Sequence, residues 1–329
     1  MASATPEQLE ASFREAEANG CVGPGAIRRR LIPDSELDVF TEVRFPSREW
    51  VLLVGSDERT EDQDIILTTG LTCRTKNGSV EVIAESGTDR LLFCTLLADI
   101  VKQLETSTRT PVSALAHRIR AWRRMLGRGL HTGLTPEQRL GLYGELVVLR
   151  EVLLPTLGEA AVRAWVGPSG GAKDFVLPPV AIEVKTVSSR EPERCRISHE
   201  RQLDSTGLTD LFLVHQVVGT SSDGVLLEEL VDDLRCAPEV RAELPHFENC
   251  LLQAGWLDVH RSQYAGDRYA LVRRRCFSVT DTFPRVTPAD LPPAVSGVSY
   301  LVSLAVCGSH QVDEETVRAV VARTNQAKE

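Results

Sequence analysis

Hydrophobic positions along this chain follow two periods, and the switches between them divide it. Residues 6–19 have the spacing of a short acidic amphipathic helix. From there to about residue 90 the pattern becomes strand-like. It includes Leu37–Phe40, Trp50–Val54 and a hairpin around Asn77-Gly78, a turn pair suited to two-residue connections. Leu91–Leu104 returns to helical spacing, and the polar Glu105–Pro111 stretch reads as a linker. The boundary placed there gives a β-rich accessory or recognition domain over residues 1–108 and a second domain over 109–329, with a C-terminal extension.

In the second half, Ser113–Leu126 reads as a helix carrying arginines around Trp122. Thr135-Pro-Glu then supplies an N-cap with proline at the first helical position. The helix it opens runs to about Leu154, with Leu142, Leu146, Leu149 and Leu153 three and four residues apart and Glu145 beside that stripe. Val162–Val166, Asp174–Leu177 and Val180–Val187 read as strands. Arg194–Ile197 leads into a short helix at Ser198–Leu203, and Leu211–Val218 is an apolar buried strand. The order is αβββαβ. Acidic helical segments follow at Leu226–Leu234 and Pro238–Ala254, then strands at Arg268–Val279 and Tyr300–Cys307.

Composition narrows the class. With 329 residues, 42% apolar and 25% charged, the chain can bury a substantial core and reads as a soluble two-domain protein. No apolar run is long enough to span a membrane and the N-terminus lacks a secretory pattern, so a cytoplasmic location is expected. The eight cysteines are scattered without a C-x-x-C pair, which favours buried free thiols over structural zinc. A net charge of −9 argues against coating nucleic acid by bulk attraction, so any DNA contact needs a local basic surface or a partner.

The chemistry concentrates in Lys173-Asp-Phe-Val-Leu-Pro-Pro-Val-Ala-Ile-Glu-Val-Lys185. On a strand, residues i and i+2 share a face, so Glu183 and Lys185 project together. Two carboxylates and an ammonium converging on one point suit metal-assisted phosphodiester hydrolysis. The acids hold a hard divalent cation, and the lysine orients water or steadies phosphate charge. The chain has five lysines, and an acid two places before a lysine occurs once. Chance placement gives roughly 0.7 such pairs, so the context carries the case. Three other motifs fail. Pro33-Asp34 lacks a following acid-x-Lys, Gly167-Pro-Ser-Gly-Gly171 is followed by a strand instead of a nucleophile-elbow helix, and its run into Lys173 lacks the final Gly and Ser/Thr of a phosphate loop.

These residues resemble the restriction-endonuclease-like PD-(D/E)XK nuclease superfamily. Gly141-Leu-Tyr-Gly-Glu-Leu, Trp165, Lys173-Asp-Phe, Ile182-Glu-Val-Lys-Thr and Ser198 through Gln202-Leu are similar to a bacterial group known as PD-(D/E)XK motif proteins, encoded beside ATPases in presumed phage-defence clusters. The resemblance implies an α/β restriction-endonuclease-like core (αβββαβ) preceded by the β-rich accessory domain. It implies a Mg2+-dependent DNA endonuclease, with Mn2+ as a substitute, whose cleavage leaves a 3′-hydroxyl. Asp174 and Glu183 match the metal ligands, Lys185 the catalytic lysine, Glu145 the helix carboxylate that completes the metal shell, and Gln202 a polar residue near the site. Lys173 stands where the motif has proline. The implied partners are DNA and other defence proteins including an ATPase, and a homodimer is compatible with them.

Plainer readings stand beside these. The Asp174/Glu183/Lys185 set also fits a surface ion pair on an edge strand, Glu145 a solvated helix face, and Gln202 an ordinary helix polar. The candidate nucleic-acid contacts are Arg118, Arg123 and Arg124 on one helix and Arg194, Arg196 and Arg201 near the site. The first group fits docking on an acidic partner as well. The second, with Arg190 and His199, is interleaved with Glu191, Glu193 and Glu200, as in a solvated loop. Arg28–Arg30 and Arg273–Arg275 read as solvated faces. The rival function is a catalytically inactive nuclease-fold subunit that binds DNA or scaffolds a defence complex; an enzyme acting on RNA is a third.

Overall fold

A computed structural model describes residues 5–20, 23–32, 37–58, 61–76, 78–106, 110–129, 133–188 and 193–326. Cys21, Pro33-Asp34, Asn77, Arg190, Glu191 and residues 107–109 of the expected linker lie outside them. The chain divides into two compact units, residues 1–132 and 133–329.

The first unit is a six-stranded antiparallel sheet with three helices. Its strands are β1 (Gly25–Arg30), β2 (Val39–Phe45), β3 (Glu49–Gly55), β4 (Gln63–Thr68), β5 (Leu71–Lys76) and β6 (Ser79–Ala84), in the order β1-β2-β3-β6-β5-β4. Helix α1 (Pro6–Ala18) starts with a capping box from Thr5 and Gln8 and buries Leu9, Phe13 and Ala16. Phe13 stacks on Trp50 with ring centroids 4.7 Å apart. Helix α2 (Arg90–Thr106) adds Phe93 to that core.

Helix α3 (Pro111–Gly127) corrects the expected boundary at 108/109. Both the Arg118 guanidinium and the Trp122 indole donate to Asp99 on α2, which ties the arginine helix into the first unit. The division falls after it, at 132/133.

The second unit holds a five-stranded mixed sheet in the order β13-β11-β10-β8-β7. The strands are β7 (Phe175–Leu177), β8 (Val180–Ser188), β10 (Asp210–Leu226), β11 (Arg268–Ser278) and β13 (Gln311–Val312). β8 and β10 run parallel and the other neighbours antiparallel. β9 (Arg194–Ile197) lies outside this sheet and pairs with β12 (Tyr300–Ser303) as a two-stranded ribbon.

The sheet is packed on both faces. Ile182 and Val184 pack with Leu142 and Leu146 of helix α4 (Pro136–Val148), whereas Ala181, Leu211 and Leu213 pack with Cys195 and Ile197 of the ribbon. After α4 the helix continues through a π-turn (Leu149–Leu153) into α5 (Leu154–Leu157), so the expected helix is present. The later helices are α6 (Ala160–Ala164), α7 (Leu227–Cys236), α8 (Pro238–Ala242), α9 (Leu244–Ala254) and α10 (Glu314–Gln326).

Three elements differ from expectation, two of them within the expected core, so the αβββαβ order is not reproduced element by element. Val162–Val166 is not a strand: Ala160-Ala-Val-Arg-Ala forms α6, as its alanines favour, and Trp165 adds only a single bridge to Phe175. Ser198–Leu203 is a turn instead of a helix. There the Gln202 side chain accepts from the Ser198 N–H and the Glu200 carboxylate from the Val298 N–H. The first bond is local, and the second is a tertiary tie between residues 98 positions apart. Tyr300–Cys307 is likewise a strand only to Ser303.

Candidate active site

The site is built where α4 packs across β8 and β10, next to edge strand β7. Gly144 makes that approach possible: a Cβ there would lie 1.7 Å from Thr186 Oγ1 on β8. The Gln216 amide on β10 donates to the Gly144 carbonyl at 2.9 Å and fixes the helix at this depth. Glu145 follows directly. Its Oε2 accepts from the Trp165 indole at 2.7 Å, and Trp165 is fully buried against Phe247.

Asp174 sits at the entrance to edge strand β7. Its carbonyl accepts from the Val166 and Gly167 N–H groups, and Gly167 is glycine because a Cβ there would lie 2.7 Å from Asp174 Oδ1. Its Oδ2 accepts from the Val184 N–H of β8 at 2.7 Å, which points the carboxylate across the hairpin. Glu183 is fully buried, and Lys185 Nζ lies 2.8 Å from its Oε1, so the two share a face as strand periodicity requires. Among the described residues neither Glu183 oxygen has a hydrogen-bond donor, so the Lys185 contact is an ion pair.

Electrostatics follow from three acids sharing one ammonium. Burial, then the charge of Asp174, pushes Glu183 up to about 8 against the pull of Lys185. Burial and Asp174 also hold Glu145 well above the usual carboxylate range, with the Trp165 hydrogen bond opposing them. Burial raises Asp174, with Lys185 and the Val184 N–H opposing. Burial lowers Lys185, but Glu183 and Asp174 outweigh it and raise its pKa overall.

A divalent cation fits this pattern. The donors are hard carboxylate oxygens, the unpartnered Glu183 Oε2 is among them, and their excess charge is what a cation would relieve. Asp174 and Glu183 are the pair best placed to hold it. Among the described residues no group of three or more His, Cys, Asp or Glu side chains is arranged to hold a metal ion, and Glu145 is engaged by Trp165.

The remaining expected residues fall elsewhere. Among the described residues nothing joins Gln202 to the acids; its amide oxygen closes the turn on Ser198. Arg118 is buried in its ion pair with Asp99 and is not available to a ligand, while Arg123 and Arg124 are exposed on α3. Arg194 and Arg196 alternate outward on β9, and Arg201 is exposed on the turn. Arg194 and Arg196 also line a cleft of about 810 Å³ with Thr186, Ser188, Glu137 and Tyr269, at the carboxyl end of β8 and the middle of β10.

Three contributions were not readable from the motif. Trp165 anchors Glu145, Gly144 sets the helix depth, and Lys173 donates to the Arg201 carbonyl at 3.0 Å beside the acids. Only the local string Gly-Glu followed by a distant Trp hinted at the first two. A fourth residue, His215, pairs in register with Lys185 from β10 and is buried on the same face.

Residues 7–305 match the model of a family described as "Putative PD-(D/E)XK family member, (DUF4420)", and the chain belongs to that family. No curated protein and no solved structure matches the chain. No helix among the described residues is long and apolar enough to cross a membrane.

Proposed function

We propose that this protein is a metal-dependent DNA endonuclease serving a bacterial restriction or phage-defence system. The observation that carries the reading is the fully buried Glu183, raised to about 8 beside Asp174 and ion-paired with Lys185. A structural ion pair has no need of the second acid, and strongly perturbed groups converging at one point are characteristic of chemistry.

Asp174 and Glu183 would hold the cation, and Glu145 would extend the acid set through its place beside them. When bound, Mg2+ or Mn2+ supplies Lewis-acid polarisation of the phosphate and a more acidic water. Lys185, fixed by Glu183, orients the attacking water and steadies the charge that develops on the phosphate oxygens. The water oxygen bonds to phosphorus, the P–O3′ bond breaks, and the departing oxygen takes a proton to become the 3′-hydroxyl, leaving a 5′-phosphate. DNA, an ATPase-bearing defence assembly and a homodimer are the partners this reading admits.

The test is cleavage of supercoiled plasmid in Mg2+ or Mn2+. The wild type should cut, and Lys185→Ala and Asp174→Ala should each lose about 10²–10³-fold in rate, the scale of removing one stabilising group from a transition state. Equal activity in all three proteins sinks the reading.

One observation favours the alternative, a non-catalytic nuclease-fold subunit: the lack, among the described residues, of a ready three-ligand set. Calorimetry with Mn2+ separates the two. Wild-type binding that disappears in Asp174→Ala belongs to the enzyme, and no binding belongs to the scaffold.

A further inference from the structure

Three acids facing one lysine make a poor landing place for a phosphodiester, whose own charge they repel. Glu145, Asp174 and Glu183 act on one another, and Lys185 is already committed to Glu183. A polyanion needs further positive charge at the mouth of such a site. Lys173 supplies it. It adjoins Asp174 in sequence and is half-buried at the entrance to β7. Its ammonium is steadied by one hydrogen bond, to the carbonyl of Arg201 on the 198–203 turn at 3.0 Å. Among the described residues no carboxylate lies within ion-pair distance of it, yet its charge acts on both Glu183 and Asp204. An ammonium has three donors, and a carbonyl occupies one of them. Burying that charge without a counter-ion makes sense if an anion arrives to meet it.

We propose that Lys173 forms a phosphate subsite at the mouth of the acid cluster, contacting a backbone phosphate of the DNA strand being cut. This rests on the nuclease reading for the identity of the ligand, but not on turnover. The residue in the motif's proline position thus becomes a second cation of the site. Its ammonium bridges the 198–203 turn and the substrate, and binds through charge with no base preference.

The experiment is fluorescence anisotropy of a labelled DNA duplex, titrated in EDTA over a range of salt with wild type, Lys173→Gln and Lys173→Arg. Gln can still donate to the Arg201 carbonyl but carries no charge, so it separates a structural role from a phosphate contact. Lys173→Gln should bind roughly tenfold more weakly at 0.15 M salt, with its log K versus log salt slope reduced by about 0.9. Lys173→Arg should restore the slope, and all three should share one melting temperature. An unchanged slope in Lys173→Gln overturns the proposal, and so does a wild type that binds no duplex. Because no metal is present, the expected slope change supports the subsite even if the wild type fails to cut. Conversely, a wild type that cuts while Lys173→Gln keeps its slope leaves the nuclease reading intact and removes the subsite.

Discussion

Each unit of this protein buries carboxylates in a sheet, and each treats them in opposite ways. In the first unit Glu42 and Glu81 are nearly inaccessible, but arginines come with them. Arg28 and Arg44 both donate to Glu42 at 2.7 Å, and Arg44 reaches on to Glu81 at 2.9 Å. Burial raises Glu42, but the Arg44 and Arg28 hydrogen bonds win and hold its carboxyl below the usual range. In the second unit Glu183 shares its one ion-paired lysine, Lys185, with Asp174 and Glu145, Lys173 adds only a weaker pull, and the Glu183 carboxyl rises to about 8. Burial is the common cost; the supply of positive charge decides the outcome. Paired acids are architecture, and undersupplied acids mark the candidate site.

His215 sharpens this contrast with the largest expected effect. It is 1% exposed on the same face as Lys185, and Lys185, Arg275, Arg273 and Glu193 are the charged groups around it. Burial first, then Arg275, brings its pKa from 6.5 down to about 4, so it is held neutral. With the folded pKa below the unfolded one, the unfolded chain takes up the proton first as pH falls. The associated stability is therefore complete above about 6.5 and is lost between 6.5 and 4. Over that window the loss amounts to roughly 3 kcal/mol. Urea unfolding of wild type and His215→Leu at pH 7.5 and 4.5 checks it. The variant should lose less stability on acidification, and identical losses would show that His215 is not the buried neutral base described here.

The two kinds of acid also predict opposite results when the cation is removed. Arg44→Met takes the arginine from Glu81 and leaves Glu42 with Arg28 alone, and should cost about 1–3 kcal/mol of stability, the penalty for a buried polar group left unpaired. Lys185→Met should cost less, because a carboxyl already raised to about 8 can take a proton and shed its charge. Thermal melts at pH 7 test the ordering. A larger loss in Lys185→Met than in Arg44→Met would erase the distinction drawn between the two units.

Much of this was legible in the sequence, and the gaps have physical causes. That Glu183 and Lys185 share a face was legible because strand periodicity fixes it, whatever the rest of the fold does. Thr135-Pro marked α4 because capping is local chemistry, satisfied by Gln138 three residues on. The errors arose where tertiary or side-chain bonds decide. Val162–Val166 looks like a strand by its valines, yet the alanines around them carry it into a helix. Ser198–Leu203 looks helical until Gln202 and Glu200 spend their side chains on backbone N–H groups. Arg118 looks like a phosphate contact because the sequence does not show that Asp99 lies opposite it. The depth of α4, and with it the place of Glu145, depends on contacts between residues 42 and 72 positions apart, which no local pattern encodes.

That depth gives the smallest effect on stability and a pointed test of how Glu145 is placed. In Gly144→Ala the new Cβ would meet Thr186 Oγ1 at 1.7 Å and Thr186 Cβ at 2.8 Å, so helix or strand must give way. Overpacking of this sort costs about 1–3 kcal/mol, and alanine returns roughly 1 kcal/mol of helix propensity. The net loss should be about 1 kcal/mol. Metal-dependent cleavage should fall much further than stability, because moving α4 outward carries Glu145 away from Trp165 and from the Asp174 carboxylate that acts on it. Adding Thr186→Ala removes the hydroxyl, the closer of the two contacts, and should recover part of both losses. If Gly144→Ala cuts DNA at the wild-type rate, Glu145 belongs with the paired acids of the first unit as a piece of architecture, and the site is reduced to Asp174, Glu183 and Lys185.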